Sequence, residues 1–357
     1  MPEYRRILIT GGAGFVGCSL ARRLRQWAPD ARVSALDNLK RRGSELNLRA
    51  LRHAGAEFLH GDIRNLEDLL AVTPPPDLIV ECSAEPSVLA GYDGSPEYLV
   101  RTNFLGCFHC LELARRVRAD FVFLSTSRVY PIDALNALCF HENATRFTLA
   151  AQQQTPGASQ YGIAENFPLA GSRSLYGMTK LGGELMVEEY AAAYGLRAII
   201  NRCGLLTGPG QMAKSDQGVI ALWVAAHYFQ RPLRYIGFGG QGKQVRDFLH
   251  VEDFADLLID QLEHFDAYRS SPWNVGGGVE YSLSLQELTA LCRETTGRVI
   301  SIGSDLVNRP ADVRIYLSDT RAVSAVRGWR PRRNAAQTVS DIHAWVRREE
   351  AALRHVL

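Results

Sequence analysis

Three polar side chains, Thr126, Tyr176 and Lys180, are of types and at a spacing that could carry out a reaction. Tyr176 and Lys180 are four residues apart in Tyr-Gly-Met-Thr-Lys, so a helix would place both on one face. An ammonium beside a phenol favours the phenolate and lowers the pKa of the tyrosine. Such a tyrosine can take a proton from a hydroxyl group while hydride leaves the same carbon, and the Thr126 hydroxyl could hold the reacting oxygen. Taken alone, Tyr-x-x-x-Lys is also common as a pair on a helix surface.

A glycine-rich turn follows a short apolar run, residues 7–9, that is long enough for a buried strand. Gly11, Gly14 and Gly17 are spaced three apart and lead into an apolar-periodic segment typical of a helix. Gly11 would allow a sharp turn, Gly14 a close approach of the backbone to a pyrophosphate, and Gly17 close packing of the helix on the strand. The N–H groups of the helix N-terminus would face the anion. The pattern predicts a dinucleotide site; an ordinary glycine-rich turn is the alternative.

An acidic residue, Asp37, ends the second predicted strand and lies 20 positions after Gly17. A carboxylate at this place accepts hydrogen bonds from the adenosine ribose hydroxyls and repels a 2′-phosphate. This favours NAD over NADP, although Arg41 and Arg42 could hold that phosphate. A simple turn residue at a strand end is the other interpretation of Asp37.

Two further strand ends carry residues that suit the same ligand. Asp62 and Ile63 follow a short strand and could hold an adenine ring, the carboxylate through the amino group and the isoleucine through apolar contact. Ser83 and Ala84 follow an apolar strand and are small enough for the backbone to lie beside a cofactor. Ligands of parallel sheets bind beyond the carboxyl ends of the strands, which is where these residues fall.

Apolar strands alternate with helical patterns from the N-terminus to about residue 203. This order predicts an α/β fold with a Rossmann-type doubly wound parallel sheet covered on both faces by helices. We expect an NAD-binding domain at residues 1–203, with a returning segment near 243–265. A smaller C-terminal α/β substrate-binding domain is expected at residues 204–242 and 266–357, where the regular alternation is lost.

Composition bears on the class of partner. Hydrophobic residues make up 46% of the chain and the net charge is +2 without a long basic block, so nucleic acid and membrane surfaces are poor candidates. No run of 18 apolar residues predicts a transmembrane helix. The N-terminus enters a strand directly, so no signal peptide is expected. Seven scattered cysteines favour reduced thiols and a cytoplasmic location.

A short Cys-Phe-His-Cys stretch could suggest a metal ion. Cys107 and Cys110 flank His109 within an apolar helical pattern, and no second Cys/His pair lies nearby in the sequence. We therefore interpret these residues as buried helix positions and predict no metal site.

Two arginines of the second half could bind phosphate. Arg246 lies in Gln-Val-Arg-Asp-Phe and Arg309 in Arg-Pro-Ala-Asp, where Asp312 would hold it. A guanidinium binds a diphosphate through two parallel hydrogen bonds. A surface salt bridge is the alternative for each arginine.

Taken together, these motifs resemble those of the extended short-chain dehydrogenase/reductases, specifically the NAD-dependent nucleotide-sugar epimerases and dehydratases. The likeness spans nearly the whole chain and implies NAD as cofactor and a nucleotide-diphosphate sugar as substrate. It implies that Thr126, Tyr176 and Lys180 are catalytic, with Ser125 and Ser127 as alternatives to Thr126. The implied cofactor contacts are Gly11, Gly14, Phe15, Val16, Gly17, Asp37, Asn38, Asp62, Ile63, Ser83, Ala84, Asn103, Tyr176, Lys180 and Cys203. The implied substrate contacts are Glu85, Ser127, Arg128, Gln211, Gln217, Arg246 and Arg309.

The stretch between Thr126 and Tyr176 narrows the reaction. Dehydratases of the family carry Asp-Glu directly after the catalytic threonine, whereas Ser127 and Arg128 stand here, which favours an epimerase or a dehydrogenase. Segment 141–147, a glutamate followed by Thr-Arg-Phe, resembles the CDP-paratose 2-epimerases, as do residues 215–218, 242–250 and 282–285. That likeness favours a CDP-sugar and epimerisation at carbon 2. A carbon-4 epimerase, a nucleotide-sugar dehydrogenase or reductase, and a non-catalytic NAD-binding regulator stay open.

The chain also departs from the family pattern. Residues 81–85 read Glu-Cys-Ser-Ala-Glu, where the family usually has His-Leu-Ala-Gly, and Pro131 replaces a glycine. By the same resemblance, the helix from Tyr176 to Tyr194 packs against its twin in another subunit, and the alanines at 191–193 would allow close approach. We therefore expect a homodimer, while the base, the sugar and the pathway are not identified by the sequence.

Overall fold

The computed structural model describes residues 4–214, 217–269 and 271–356; Ser215 and Asp216, from the 215–218 motif, lie outside the described residues. The strands are β1 (Arg6–Thr10), β2 (Arg32–Asp37), β3 (Glu57–His60), β4 (Leu78–Glu81), β5 (Asp120–Thr126), β6 (Phe140–Glu142), β7 (Phe147–Leu149), β8 (Ala158–Ser159), β9 (Gly162–Ile163), β10 (Ala198–Cys203), β11 (Leu205–Thr207), β12 (Leu233–Ile236), β13 (Val245–His250), β14 (Trp273–Val275), β15 (Ser282–Ser284), β16 (Ile302–Asp305) and β17 (Ile315–Tyr316). The α-helices are α1 (Phe15–Trp27), α2 (Leu48–His53), α3 (Leu66–Leu70), α4 (Glu97–Val100), α5 (Gly106–Val117), α6 (Ile132–Asn136), α7 (Leu175–Tyr194), α8 (Val219–Phe229), α9 (Val251–Glu263), α10 (Phe265–Tyr268), α11 (Leu285–Thr296), α12 (Arg321–Arg327), α13 (Ala335–Arg348) and α14 (Glu350–Leu353).

The chain divides into two compact units, each assembled from three separate segments. The first unit comprises Met1–Val129, Leu175–Arg202 and Ala255–Pro272. The second unit comprises Tyr130–Ser174, Cys203–Phe254 and Trp273–Leu357.

These units differ from the expected domain boundaries at residues 130–174, which we expected in the first domain. The structure groups them with the second unit because their polar groups are satisfied there. The Phe147 N–H donates to the Lys243 carbonyl, and the Ile163 N–H donates to the Leu317 carbonyl at 2.8 Å.

The returning segment also begins later than expected, at residue 255 instead of near 243. Strand β13 is the reason, since it lies at the centre of a sheet within the second unit. It pairs in parallel with β11 and β17 and antiparallel with β15. Hydrogen bonds on both edges of β13 keep residues 245–250 with the second unit.

Six strands of a parallel sheet belong to the first unit, in the order β10-β5-β4-β1-β2-β3. The register pairs Ile7 with Val33 and with Leu78, so β1 is enclosed on both edges. Strand order reverses between β1 and β4, which is the point at which a parallel sheet opens a crevice for a ligand. The sheet confirms the predicted Rossmann-type α/β fold.

Helices cover this sheet through apolar faces. Helix α1 buries Leu20, Ala21 and Leu24, spaced as one face of a helix. Helix α5 buries Leu111 and Ala114 in the same core cluster as Leu8 of β1. Burial of a full aliphatic side chain stabilises by about 1.5–3 kcal/mol, so this core fixes the strand ends that carry the site.

Helix α7 lies close to its neighbours because of two adjacent glycines. A Cβ atom at Gly183 would come within 2.5 Å of the Phe123 ring on β5, and one at Gly182 would come within 2.6 Å of the Phe104 ring. These contacts leave no room for a larger residue.

In the described ranges of the chain, no helix is both long enough and apolar enough to cross a membrane.

The second unit has its own core of three helices, α8, α11 and α13, around an apolar cluster. Trp223 of α8, Leu288 of α11 and Ile342 of α13 meet in it. Helix α11 begins with a capping box in which Ser284 accepts from the Glu287 N–H, and the Glu287 carboxylate accepts from the Ser284 N–H.

Candidate active site

The glycine turn between β1 and α1 has the geometry that the spacing predicts. Gly11 has a φ of +64°, and a Cβ there would lie 2.9 Å from the Cys82 carbonyl carbon and the Ser83 Cα. At Gly17 a Cβ would lie 2.2 Å from the Gly11 carbonyl oxygen. Both positions therefore require glycine. Gly14 is the N-cap of α1 and has no side chain with which to cap the helix.

Asp37, at the end of β2, is tied to this turn. Its Oδ2 accepts a hydrogen bond from the Ala13 N–H at 3.1 Å, and its Oδ1 accepts from the Leu39 N–H at 2.8 Å. Burial raises the pKa of the Asp37 carboxyl, while these backbone donors oppose the rise. The carboxylate thus holds the loop that contains the glycine turn. It lies at the end of β2, the position at which the sequence predicts contact with a ribose.

Asn38 and Asp62, both predicted cofactor contacts, are brought together by a hydrogen bond of 2.8 Å. Asp62 also pairs with Arg64, Nη2 to Oδ2 at 2.5 Å. Burial favours a higher pKa for Asp62, but hydrogen bonds from Arg64 and Asn38 outweigh it and lower the pKa to about 2. Ile63 is buried, and its carbonyl oxygen lies 2.8 Å from Nδ1 of His109.

Ser83, Ala84 and Glu85 follow β4 at the carboxyl edge of the sheet. The side chain of Asn103 accepts from the Glu85 N–H at 2.8 Å and donates to the Glu85 carbonyl at 3.1 Å. It also donates to Thr179 of α7 at 3.2 Å. Asn103, predicted as a cofactor contact, thus joins the loop after β4 to the helix that carries Tyr176.

Tyr176 and Lys180 lie one turn apart in the first half of α7. The side chain of Lys180 is 3% exposed, and its ammonium donates to Oε2 of Glu81 at 3.4 Å. It also lies 4.0 Å from the centroid of the Phe123 ring. Burial lowers the pKa of Lys180, but the Glu81 carboxylate and the nearby Tyr176 outweigh it, so that the pKa is raised and the lysine stays charged.

Thr126 and Ser125 occupy the end of β5 but face different partners. The Ser125 hydroxyl donates to Oε1 of Glu184. The Glu184 carboxylate also accepts from Arg202, with Nε 3.1 Å from Oε1 and Nη2 2.8 Å from Oε2. The Thr126 hydroxyl accepts from the Arg128 N–H at 3.2 Å. Since Glu184 engages Ser125, the geometry favours Thr126 over Ser125 as the hydroxyl that reaches a substrate.

Ser127 and Arg128, both predicted substrate contacts, form a short 3-10 turn, Ser127–Val129, after β5. The turn places them directly beyond the carboxyl end of the strand. No carboxylate stands at either position, in agreement with the motif analysis.

The cysteines of the Cys-Phe-His-Cys stretch are buried in α5. Burial raises the pKa of both Cys107 and Cys110, which keeps the thiols protonated, and His109 is engaged with Ile63. Within the described ranges, no group of three or more His, Cys, Asp or Glu side chains could hold a metal ion.

In the second unit, Arg246 of β13 is held by several acceptors. Its Nη2 donates to Oδ1 of Asp312 at 2.7 Å and to the Val313 carbonyl at 2.5 Å, and its Nη1 donates to the Val245 carbonyl at 2.8 Å. The Asp312 carboxylate, which the sequence analysis paired with Arg309, contacts Arg246 of β13, and β13 lies beside β17. Arg309 precedes Asp312 in the same loop, and the Asp312 N–H donates to its carbonyl.

The remaining predicted contacts also lie in the second unit. Cys203 is buried at the end of β10. Gln211 is fixed within its loop, since its side chain contacts the Thr207 hydroxyl at 3.0 Å and the Leu206 carbonyl at 2.9 Å. Gln217 exchanges backbone hydrogen bonds with Lys214.

Two residues that organise the site were not predicted. Glu81 contacts Lys180 from 99 positions away, and Glu184 bridges Ser125 and Arg202. The departure at residues 81–85 was the signal for Glu81, although its partner could not be identified from the sequence. For Glu184, the spacing of four from Lys180 on the same helix was the available signal.

Known proteins resemble this chain in sequence and in fold. Residues 7–276 match the NAD dependent epimerase/dehydratase family. CDP-paratose 2-epimerase of Salmonella typhi is 29% identical over 95% of this chain and 98% of its own length. dTDP-glucose 4,6-dehydratase of Mycobacterium tuberculosis is 30% identical over 70% of this chain and 66% of its own. UDP-glucose 4-epimerase of Thermus thermophilus, solved in complex with NAD, shares the fold with a TM-score of 0.75 at 24% identity, over 96% of this chain and 99% of that chain. The chain therefore belongs to the NAD-dependent epimerase/dehydratase family.

NAD is the cofactor of this protein, and the residues present fit it. The first turn of α1 carries no acidic residue, so its N–H groups and positive dipole end suit a pyrophosphate. Asp37 places a carboxylate at the end of β2, where an unphosphorylated ribose is favoured.

Proposed function

We propose that this protein is an epimerase of a nucleotide-diphosphate sugar that acts by transient oxidation to a keto-sugar. The observation that carries the proposal is the Tyr176–Lys180 pair on one face of α7, with the Lys180 ammonium buried and charged. When bound, NAD supplies a hydride acceptor that later returns the hydride. No net oxidation results, so the cofactor stays bound.

The proposed chemistry of the chain concerns one proton and one oxygen. Tyr176 takes the proton of a sugar hydroxyl as its carbon is oxidised, and gives it back when the ketone is reduced from its other face. Lys180 favours the phenolate of Tyr176 through its charge. The Thr126 hydroxyl, 7% exposed at the end of β5, holds the sugar oxygen in line with Tyr176.

Epimerisation is favoured over dehydration by the residues after Thr126. Loss of water from a keto-sugar needs an acid and a base beside the departing hydroxyl. The Ser127–Val129 turn offers a hydroxyl and a guanidinium at this place. Likeness to CDP-paratose 2-epimerase over 95% of the chain supports carbon 2 and a CDP-sugar; carbon-4 epimerisation is the second candidate.

For the second unit, we assign binding of the diphosphate to Arg246 and Arg309. The hydrogen bonds from Arg246 to Asp312 and to two carbonyls fix the guanidinium plane before a ligand arrives. A preorganised guanidinium loses less entropy on binding phosphate than a mobile one does.

Tyr176→Phe tests the proposal, because it removes the proton-accepting oxygen and little else. We expect kcat to fall by about 100-fold or more, with unchanged NAD content and an unchanged melting temperature. Turnover is followed with the nucleotide sugar that most raises the melting temperature in a screen of CDP-, UDP-, GDP- and dTDP-sugars. Near-normal turnover of the variant would refute the proposal, and stoichiometric release of NADH would identify a dehydrogenase instead.

We also propose a homodimer formed through α5 and α7. Leu105, directly before α5, and Phe108 of α5 are 43% and 39% exposed, and Met178 and Leu185 of α7 are 43% and 55% exposed. Large apolar side chains exposed on two neighbouring helices suit an isologous interface. Leu185→Glu should give the sedimentation mass of one chain, and Val299→Glu, at an exposed apolar site of the second unit outside the sequences of α5 and α7, is the matched control. A wild-type mass of one chain would contradict the proposal.

The protein is further proposed to be cytoplasmic, since no disulfide joins cysteines of the described residues.

A further inference from the structure

The contact between Glu81 and Lys180 is unusual because a carboxylate is an expensive group to bury. Glu81 is 1% exposed at the end of β4, and Lys180 is 3% exposed on α7. Removing two charges from water costs several kcal/mol per ion, and their attraction offsets this only when the geometry is good. A carboxylate kept in such a place is expected to act on its partner.

The surroundings of the pair show what that action is. Lys180 has the Phe123 ring of β5 on one side at 4.0 Å and Oε2 of Glu81 at 3.4 Å. Its other ionisable neighbours are Tyr176 on its own helix and Cys107 of α5. Burial holds the thiol of Cys107 in its neutral form. The charge balance around Lys180 is therefore set by Glu81 on one side and Tyr176 on the other.

We propose that Glu81 is a positioning residue that holds the Lys180 ammonium from the side of the sheet and sets the pH range in which Tyr176 exchanges its proton. A negative charge beside Lys180 stabilises the ammonium and opposes a second negative charge on the phenol. Glu81 thus makes both groups lose their protons at a higher pH than they would beside a neutral side chain. This inference rests on the proposed role of Tyr176.

Burial raises the pKa of Glu81 itself, and the Lys180 ammonium and the Ser83 N–H oppose that rise. The next carboxylate along α7, Glu184, is directed to Arg202 and Ser125 instead. Cys110, the second thiol of α5 in this region, is also kept neutral by burial. Glu81 is thus the group through which the charge at Lys180 is adjusted.

Glu81→Gln, which keeps the shape and removes the charge, is the test. Tyrosinate absorbance of the NAD-loaded protein is titrated in wild type and variant, each with the matching Tyr176→Phe protein subtracted. We expect the Tyr176 transition to move to lower pH by about one unit or more. The pH profile of kcat is measured with the nucleotide sugar identified by the melting-temperature screen. Its acidic and its basic limb should both move to lower pH.

Glu184→Gln is the matched control, because it also removes a buried carboxylate, one that lies on α7 itself. It should lower the melting temperature while leaving the Tyr176 transition in place. Glu81→Asp keeps the charge but moves it farther from Lys180. The Tyr176 transition should therefore move to lower pH by less than half of the shift expected for Glu81→Gln. This variant provides the test if Glu81→Gln does not fold.

The outcomes separate this inference from the proposed function. A Tyr176 transition that stays within about 0.3 unit in both Glu81 variants, or one that moves to higher pH, would overturn the role of Glu81. Near-normal turnover of Tyr176→Phe would overturn the proposed function alone, because the titration reads the coupling of Glu81 to Tyr176 without turnover.

Discussion

Two buried carboxylates, Glu184 on helix α7 and Glu81 on the neighbouring β4, are bound in different ways. Glu184 accepts hydrogen bonds from Nε and Nη2 of Arg202 and from the Ser125 hydroxyl. Among the described residues, the Glu81 carboxylate contacts the Lys180 ammonium at 3.4 Å and also accepts from the Ser83 N–H. A planar guanidinium held at two points fixes geometry, whereas a lysine held at one point keeps a charge that its neighbours can adjust. The difference indicates that one pair maintains the shape of the site and the other tunes its chemistry.

Asp62 and Arg64 form a third pair, which is partly exposed. Their side chains are 20% and 32% exposed, and they contact each other at 2.5 Å at the edge of the predicted adenine site. Exposure to water weakens such a pair relative to a buried one. Burial and the number of contacts therefore do not change together in the three pairs, because Arg64 makes three side-chain contacts to the more exposed Asp62 whereas Lys180 makes one to the buried Glu81.

The largest effect is expected at Glu184. Glu184→Gln removes the carboxylate that the buried Arg202 guanidinium contacts, and breaking a buried pair in this way costs about 3–5 kcal/mol. The free energy of unfolding from urea denaturation measures the loss. Arg101→Gln, at an exposed pair with Glu97, is the control and should change stability by less than about 1 kcal/mol. A loss as small as the control's would mean that the buried pair has no structural role.

A smaller effect separates the two hydroxyls at the end of β5. Thr126→Ala should lower kcat by about 10- to 100-fold with little change in stability, because its partner in the chain is one backbone N–H. Ser125→Ala should instead cost about 1–3 kcal/mol of stability, because it leaves Glu184 short of a donor. Steady-state kinetics and urea denaturation of both variants check the pair of expectations. The reverse pattern would make Ser125 the catalytic hydroxyl.

The smallest effect is a pH dependence at Asp62. The pKa of this carboxyl is lowered from 3.8 to about 2 in the folded chain. The stability that it contributes is therefore present above about pH 4 and is lost as the pH falls towards 2. Asp62→Asn should remove about 1–2 kcal/mol at pH 7 and flatten the decline in stability below pH 4. Unfolding measured at a series of pH values gives the slope, which should be unchanged if Asp62 and Arg64 do not interact.

Features encoded by nearby residues could be predicted from the sequence. The turn around Gly11, the acidic end of β2 and the Tyr176–Lys180 pair each depend on contacts within one βα unit or one helical turn. For the same reason the parallel sheet followed from the alternation of strands and helices. Burial of Lys180 could not be predicted, since it depends on Glu81 and Phe123 from two other strands.

Long-range pairing explains the other differences. Residues 130–174 carry two short hairpins, β6–β7 and β8–β9, that the polar sequence did not reveal. The partner of Asp312 depends on the register of β13 with β17, which sequence spacing does not encode. Asn103 lies in the π-helical segment Arg101–Leu105, where an irregular turn directs its amide to the Glu85 backbone.

The double attachment of Asp37 constrains any attempt to change the preferred dinucleotide. Its two oxygens engage Ala13 in the phosphate turn and Leu39 after β2. If Asp37 and the glycine turn bind the dinucleotide as proposed, replacing this acid with a small or basic residue would admit a 2′-phosphate and, in the same step, release the loop proposed to bind the pyrophosphate. A variant selective for NADP therefore needs a second substitution that secures Ala13, and single replacements at position 37 should weaken both dinucleotides.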